Sequence, residues 1–251
     1  MSTDGTGRCL VCYAETKNRC SRCGEAGIDL FFCSPEHQKL VWPGHRFFCG
    51  PNAFPLCFPF LSDEELELII KNLHTRYLKV GGQTSTLYES LNEEGRLSIQ
   101  DVKSMLRNEL HRPQVDGARC VDEQYYLVSL RIPCESDSLS TSTRLLNRFA
   151  STAQYLTRAE AVPEDLTSCS PAEAELLHRT FAFVSLVLQA RDLLEGQAYL
   201  DGISVSSATV TCYKGLFTYT IDRFPPHRAA SISAAFRQRY PEMEFFSSAP
   251  A

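Results

Sequence analysis

The feature that most constrains this chain is a series of metal-type residues near its start: Cys9, Cys12, Cys20, Cys23, Cys33, His37, His45 and Cys49. They fall into four pairs: two C-x2-C, one C-x3-H and one H-x3-C. A C-x2-C pair lets one tight turn aim two thiolates at a single ion. The i, i+4 spacing of the other two pairs sets both ligands on one side of a helical turn. Eight ligands paired in this way make two closed tetrahedral sites, and thiolate with imidazole suits zinc. So short a segment has too little core to fold by apolar burial, so metal binding supplies its folding energy.

Composition argues against the other uses of cysteine. Six of the eleven cysteines lie between positions 9 and 49, and the other five are scattered without ligand spacing. The first residues, MSTDGTGRCLVCYAET, lack the apolar stretch of a secretory signal. The longest apolar run, FAFVSLVLQA at 181–190, is too short to span a bilayer. The expected setting is therefore the cytosol or nucleus, where thiols stay reduced and a disulfide framework is not expected. A Cys–His nucleophile would need one special thiol rather than four regular pairs. With 43% hydrophobic and 22% charged residues the chain has a globular composition. Its net charge of −5 supplies no general field for nucleic acid or an anionic membrane.

Local signals place a short helix over SPEHQKLVW: Ser34 is a good N-cap, Pro35 fits the first helical position and Glu36 the first turn. Pro43-Gly44 is expected to break it, and Gln38 and Trp42, four apart, share one face. Together these residues resemble the MYND-type zinc finger. The match lies in the two C-x2-C pairs, Phe32-Cys33, His37-Gln38, Trp42 and the closing His45-x3-Cys49, over residues 9–49. Many members carry Cys where this chain has His37. The resemblance implies two zinc ions bound in an interleaved way, one by Cys9, Cys12, Cys33 and His37, the other by Cys20, Cys23, His45 and Cys49. It also implies a protein-interaction module that takes short proline-containing peptides as an added strand, with Gln38 and Trp42 in the groove. Packing within the finger is the other role open to Trp42.

Beyond a tail (1–8) and the finger (9–49), the sequence divides into a proline-rich linker (50–61) and a domain of unrecognised family (62–251). Prolines 51, 55 and 59 favour an extended linker, apolar enough to pack on a neighbour, with the finger's own groove as one place for it. Helices are expected from Ser62, with Glu65 completing a capping box, and over 98–110, 143–158, 171–195 and 227–239. VDEQYYLVSLRIP reads as a strand with Tyr126, Val128, Leu130 and Ile132 on one face, and ATVTCYKGLFTYTI as a hairpin turning at Lys214-Gly215. Gly81-Gly82 reads as a turn and 136–143 as a loop. The fold class is thus a small zinc-stabilised finger followed by an α+β, mainly helical domain.

That domain shows no phosphate loop, nucleophile elbow or H-E-x-x-H. His74, His111, His178 and His227 are isolated, and the bland reading of each is a surface or satisfied histidine. Some proteins with this finger carry a SET methyltransferase domain, but its Asn-His-x-Cys-x-Pro-Asn step is missing here. The expectation is a non-enzymatic adaptor, with an enzyme of unrecognised active site in 62–251 as the alternative. The finger is expected to fold apart from the larger domain, so that Cys20→Ala unfolds only the finger.

Overall fold

The structure, a computed structural model, describes residues 5–78, 84–92, 95–111, 120–134, 139–193, 199–200, 203–241 and 243. The expected turn at Gly81-Gly82 lies outside the described residues, as do 135–138 of the expected loop. In chain order the elements begin with β1 (Gly7–Arg8), β2 (Glu15–Thr16), α1 (Ser21–Glu25), α2 (Pro35–His45) and α3 (Asp63–Lys71). Next come β3 (Arg76–Leu78), β4 (Thr84–Thr86), α4 (Leu87–Leu91), α5 (Ile99–Asn108), α6 (Val121–Arg131) and α7 (Thr141–Arg158). The last are α8 (Pro171–Leu193), β5 (Tyr199–Leu200), β6 (Ile203–Ser204), α9 (Val205–Arg223) and α10 (Pro226–Arg239). The described strands make only two-stranded antiparallel ribbons, so the fold is mainly helical.

The chain forms two compact units, one of residues 1–57 with 151–251 and one of residues 58–150. This division by contact differs from the division by composition: the finger shares a unit with the C-terminal helices, and the proline-rich linker is split. The linker also departs from an extended form, opening as a 3-10 turn over Gly50–Asn52, although Ala53, Leu56 and Cys57 are buried as its composition requires.

In the first unit α8 is the central helix. Its residues from Leu176 to Leu188 are buried on every side because α2 packs on it from one direction and α9 from another. Phe183 meets Tyr240 edge-on at 4.9 Å between ring centres, and Tyr240 shares a 2.7 Å hydroxyl hydrogen bond with Thr152. α9 corrects the expected hairpin. Its buried residues include Val205, Ala208, Cys212, Leu216 and Tyr219, and intervals of three and four are helical rather than alternating. No turn forms at Lys214-Gly215; Gly215 lies mid-helix because Tyr13 crosses there, with a Cβ on Gly215 falling 3.0 Å from that of Tyr13.

In the second unit, the capping box of Ser62 and Glu65 starts α3 as the sequence requires, and Thr86–Glu89 and Ser98–Asp101 repeat it for α4 and α5. The helix from Ser62 is shorter than expected, because a turn after Lys71 leads into β3. α6 corrects the expected strand, burying Gln124, Leu127, Leu130 and Arg131 at helical intervals. Arg131 explains the choice of helix. Its Nε donates to Glu65 Oε1 at 2.6 Å and its Nη2 to the Pro59 and Phe60 carbonyls at 2.9 and 3.3 Å. A guanidinium this deeply buried needs such a full set of acceptors.

A candidate zinc centre and the helices that hold it

The finger assembles from short pieces, each held by backbone bonds that aim a ligand. Leu10 N–H donates to the Phe31 carbonyl at 2.9 Å, and Cys20 N–H to the Leu30 carbonyl at 2.8 Å, so the segment before Cys33 aligns both C-x2-C turns through bridges at Phe31. α1 begins immediately after Cys20 and turns Cys23 inward. Ser34 caps α2 through the His37 N–H at 3.3 Å, with Pro35 in the first turn, as the sequence indicates. α2 does not stop at Pro43-Gly44, however. It continues to His45 although Pro43 offers no N–H to the Lys39 carbonyl, and the Arg46 N–H closes the helix on the Trp42 and Gly44 carbonyls. That continuation puts His37 and His45 on one helix, one serving each cluster.

The structure brings the eight predicted ligands into two groups, Cys9, Cys12, Cys33 and His37, and Cys20, Cys23, His45 and Cys49, with the ligand atoms of each group within 4.8 Å of one another. The pairing is interleaved, as the family resemblance implies and spacing alone leaves open. A tetrahedral site with zinc–sulfur bonds of about 2.3 Å has edges of about 3.8 Å between sulfurs, slightly less to nitrogen. Cys20 and Cys49 sulfurs are 3.7 Å apart and those of Cys23 and Cys49 3.8 Å; Cys23 Sγ lies 3.7 Å from His45 Nε2. In the first group Cys12 and Cys33 sulfurs are 3.5 Å apart, and Cys9 Sγ lies 3.7 Å from His37 Nδ1. One edge, Cys33 Sγ to His37 Nδ1, is short at 2.9 Å. The two Cys3His groups fit two zinc ions.

The donor chemistry agrees. Within the second group, hydrogen bonds from Cys23 and Cys49 draw the Cys20 thiol down, while the bond with Cys20 pushes Cys23 up. Burial pushes Cys33 up to about 12 and lowers His37. Three thiols this close together do not ionise together by themselves, whereas a bound dication deprotonates coordinating thiols outright. With four side-chain donors in each group, a zinc ion held there would have the closed coordination of a structural site.

What the sequence did not reveal is the surround that α8 and α9 give these loops. Arg179 donates from Nη2 to the Arg8 carbonyl at 2.9 Å and from Nη1 to the Cys9 carbonyl at 3.3 Å, while its guanidinium stacks between Tyr13 and Tyr219. Cys212, expected in a strand, is a buried helical thiol that donates to the Leu10 carbonyl at 3.4 Å; burial pushes it up to about 12. Tyr13 sits between the two ligands' turn and α9 with a φ of 60°, held there by a 2.8 Å hydrogen bond to Asp222. His178 is a satisfied core histidine: its Nε2 donates to the Ala53 carbonyl at 2.9 Å, its ring is 6.5 Å from that of His45, and burial lowers it to about 4. Gln189 reaches the Leu40 carbonyl at 2.9 Å. The buried middle of FAFVSLVLQA was the one sequence signal for this role.

α2 therefore has two faces. Leu40, Val41 and Gly44 turn toward α8, where Phe48 meets Phe181 edge-on at 4.7 Å. Trp42 points the other way and is 41% exposed, with Gln38 partly exposed one turn earlier. Within the second unit, His111 lies 2.9 Å from Asp63 Oδ1, and His74 lies beside the Tyr88 ring. No helix among the described residues is long and apolar enough to cross a membrane.

A family model described as the MYND finger matches residues 9–49. No curated protein and no solved structure matches the chain significantly. The span of that match coincides with the two crossed clusters, first ligand to last. This chain therefore contains a MYND zinc finger, spanning residues 9–49.

Proposed function

We propose that this chain is a zinc-dependent, non-enzymatic adaptor whose finger binds a short proline-containing segment of a partner protein against Gln38 and Trp42. MYND fingers are in general protein-interaction modules. The observation that carries the finer reading is the exposure of Trp42 on a helix whose other face is buried. An indole half out of water on a rigid helix offers a large contact area at little entropic cost, and a proline ring stacks well on it. The Trp42 ring stands 5.8 Å from that of His45, so a ligand of the second zinc site also fixes the base of the proposed groove. The rest of the first unit holds α2 in place.

The test is a proline-rich peptide library against the full, zinc-loaded chain, with Trp42→Ala as control and zinc content measured in both. Trp42→Ala should keep both zincs, change stability by less than about 1 kcal/mol as an exposed site does, and lose peptide binding. If the full chain binds nothing in the library, the finger is a structural element and the adaptor reading fails.

A further inference from the structure

The exposed face of α2 carries charge as well as an indole. Lys39, Trp42 and Arg46 stand at i, i+3 and i+7, the spacing of one helical stripe, with Arg46 at the helix's C-terminal cap. All three are exposed. Arg46 lies over the Phe47 ring at 4.9 Å, which steadies its guanidinium near the surface. The acidic residue of the same helix, Glu36, sits in the first turn behind the Ser34 cap, one turn before Lys39. The stripe is thus a cation at each end and an aromatic plane between them, in a chain whose net charge is −5.

We infer that the partner segment is acidic: a proline seated on Trp42 with an Asp or Glu on each side, one facing Lys39 and the other Arg46. This rests on the peptide-binding reading above and adds the chemistry of the ligand. The two cations are seven residues apart on the helix, about 10 Å along its axis. An extended peptide covers that distance in about three residues, so the two acids stand three or four positions apart with the proline between them. A surface of two cations on one short helix suits a peptide of that length better than a nucleic acid, which needs a longer run of phosphate contacts. Exposed ion pairs add little to final affinity but discriminate strongly against the wrong charge.

The experiment measures binding of three fluorescent peptides to the zinc-loaded full chain. They share a central proline and differ in carrying Glu, Gln or Lys at the flanking positions. The Glu peptide should bind at least tenfold more tightly than the Lys peptide at low salt, and the gap should narrow as salt rises. In Lys39→Glu and in Arg46→Gln, each checked for zinc content and helicity, the preference should shrink, and in the Lys39→Glu/Arg46→Glu pair it should reverse. Equal binding of all three peptides, abolished by Trp42→Ala, would overturn the acidic-segment inference and leave the adaptor reading standing. Failure of all three to bind would overturn both. Displacement of the Glu peptide by an oligodeoxynucleotide at equal concentration would mark the stripe as a general anion face and refute the inference.

Discussion

Gly44 illustrates how a single side chain can decide whether the finger is seated. A Cβ at this position would fall 2.9 Å from Phe181 Cε1 and 3.3 Å from Ser185 Cβ, both on α8. In an open helix, glycine to alanine gains about 1 kcal/mol. Here the close approach should win, because Phe181 is itself buried and overpacking a closed contact costs about 1–3 kcal/mol. Gly44→Ala should therefore lower the urea midpoint, and a raised midpoint would show that Phe181 can move aside. In the other unit, Arg131 and Glu65 form a buried pair whose separation is expected to be expensive. Arg131→Met should destabilise by about 3–5 kcal/mol, since it strands a buried carboxylate. Adding Glu65→Gln, which keeps the cap on α3, should recover most of that loss in chemical denaturation. Both residues lie in segments where the sequence showed only a cap and an apparent strand.

At the scale of elements, legibility followed the range of the interactions. The ligands, the Ser34 cap and the capping box at Ser62 were readable because all are settled within a few residues of chain. The pairing of ligands came from family resemblance, since spacing leaves several pairings possible. The strand expected in α6 and the hairpin expected in α9 failed for one reason: Tyr, Val, Thr and Ile are so frequent there that alternating apolar positions can be picked out of a helical pattern. Tertiary packing chose the other period, and small residues at Cys212 and Gly215 mark where the finger's loops lie against α9. The part of α8 in holding the finger was illegible because it depends on carbonyls at Arg8 and Cys9, more than 160 residues away. Arg179→Ala should weaken zinc at the Cys9 cluster more than at the Cys20 cluster, which it does not touch. A competitive chelator titration, with alkylation of the freed cysteines and peptide mapping, reads the two losses separately; equal loss at both sites would mean Arg179 supports the unit as a whole.

At the scale of the whole chain, the sequence suggested a finger that folds alone beside a larger domain, and the contacts give a different grouping. Residues 9–57 and the C-terminal helices share one core, tied by Arg179, His178, Gln189, Cys212 and the packing of α2 on α8. Structural zinc sites contribute about 10–16 kcal/mol in small fingers, as much as the whole stability of an ordinary domain. Removing zinc should therefore unfold more than the finger. Cys20→Ala, expected from sequence to spare everything beyond residue 49, should instead loosen α8 and α9. The adaptor reading depends on this grouping, because it is the buried face of α2 that leaves Trp42 outward. The most direct measurement is hydrogen–deuterium exchange of the full chain, zinc-loaded and after chelation. Loss of protection across 171–223 together with 9–57, while 58–134 keeps its protection, is the expected result. Full protection of 171–223 in the zinc-free protein would contradict it, and would return the finger to the status of a separate module.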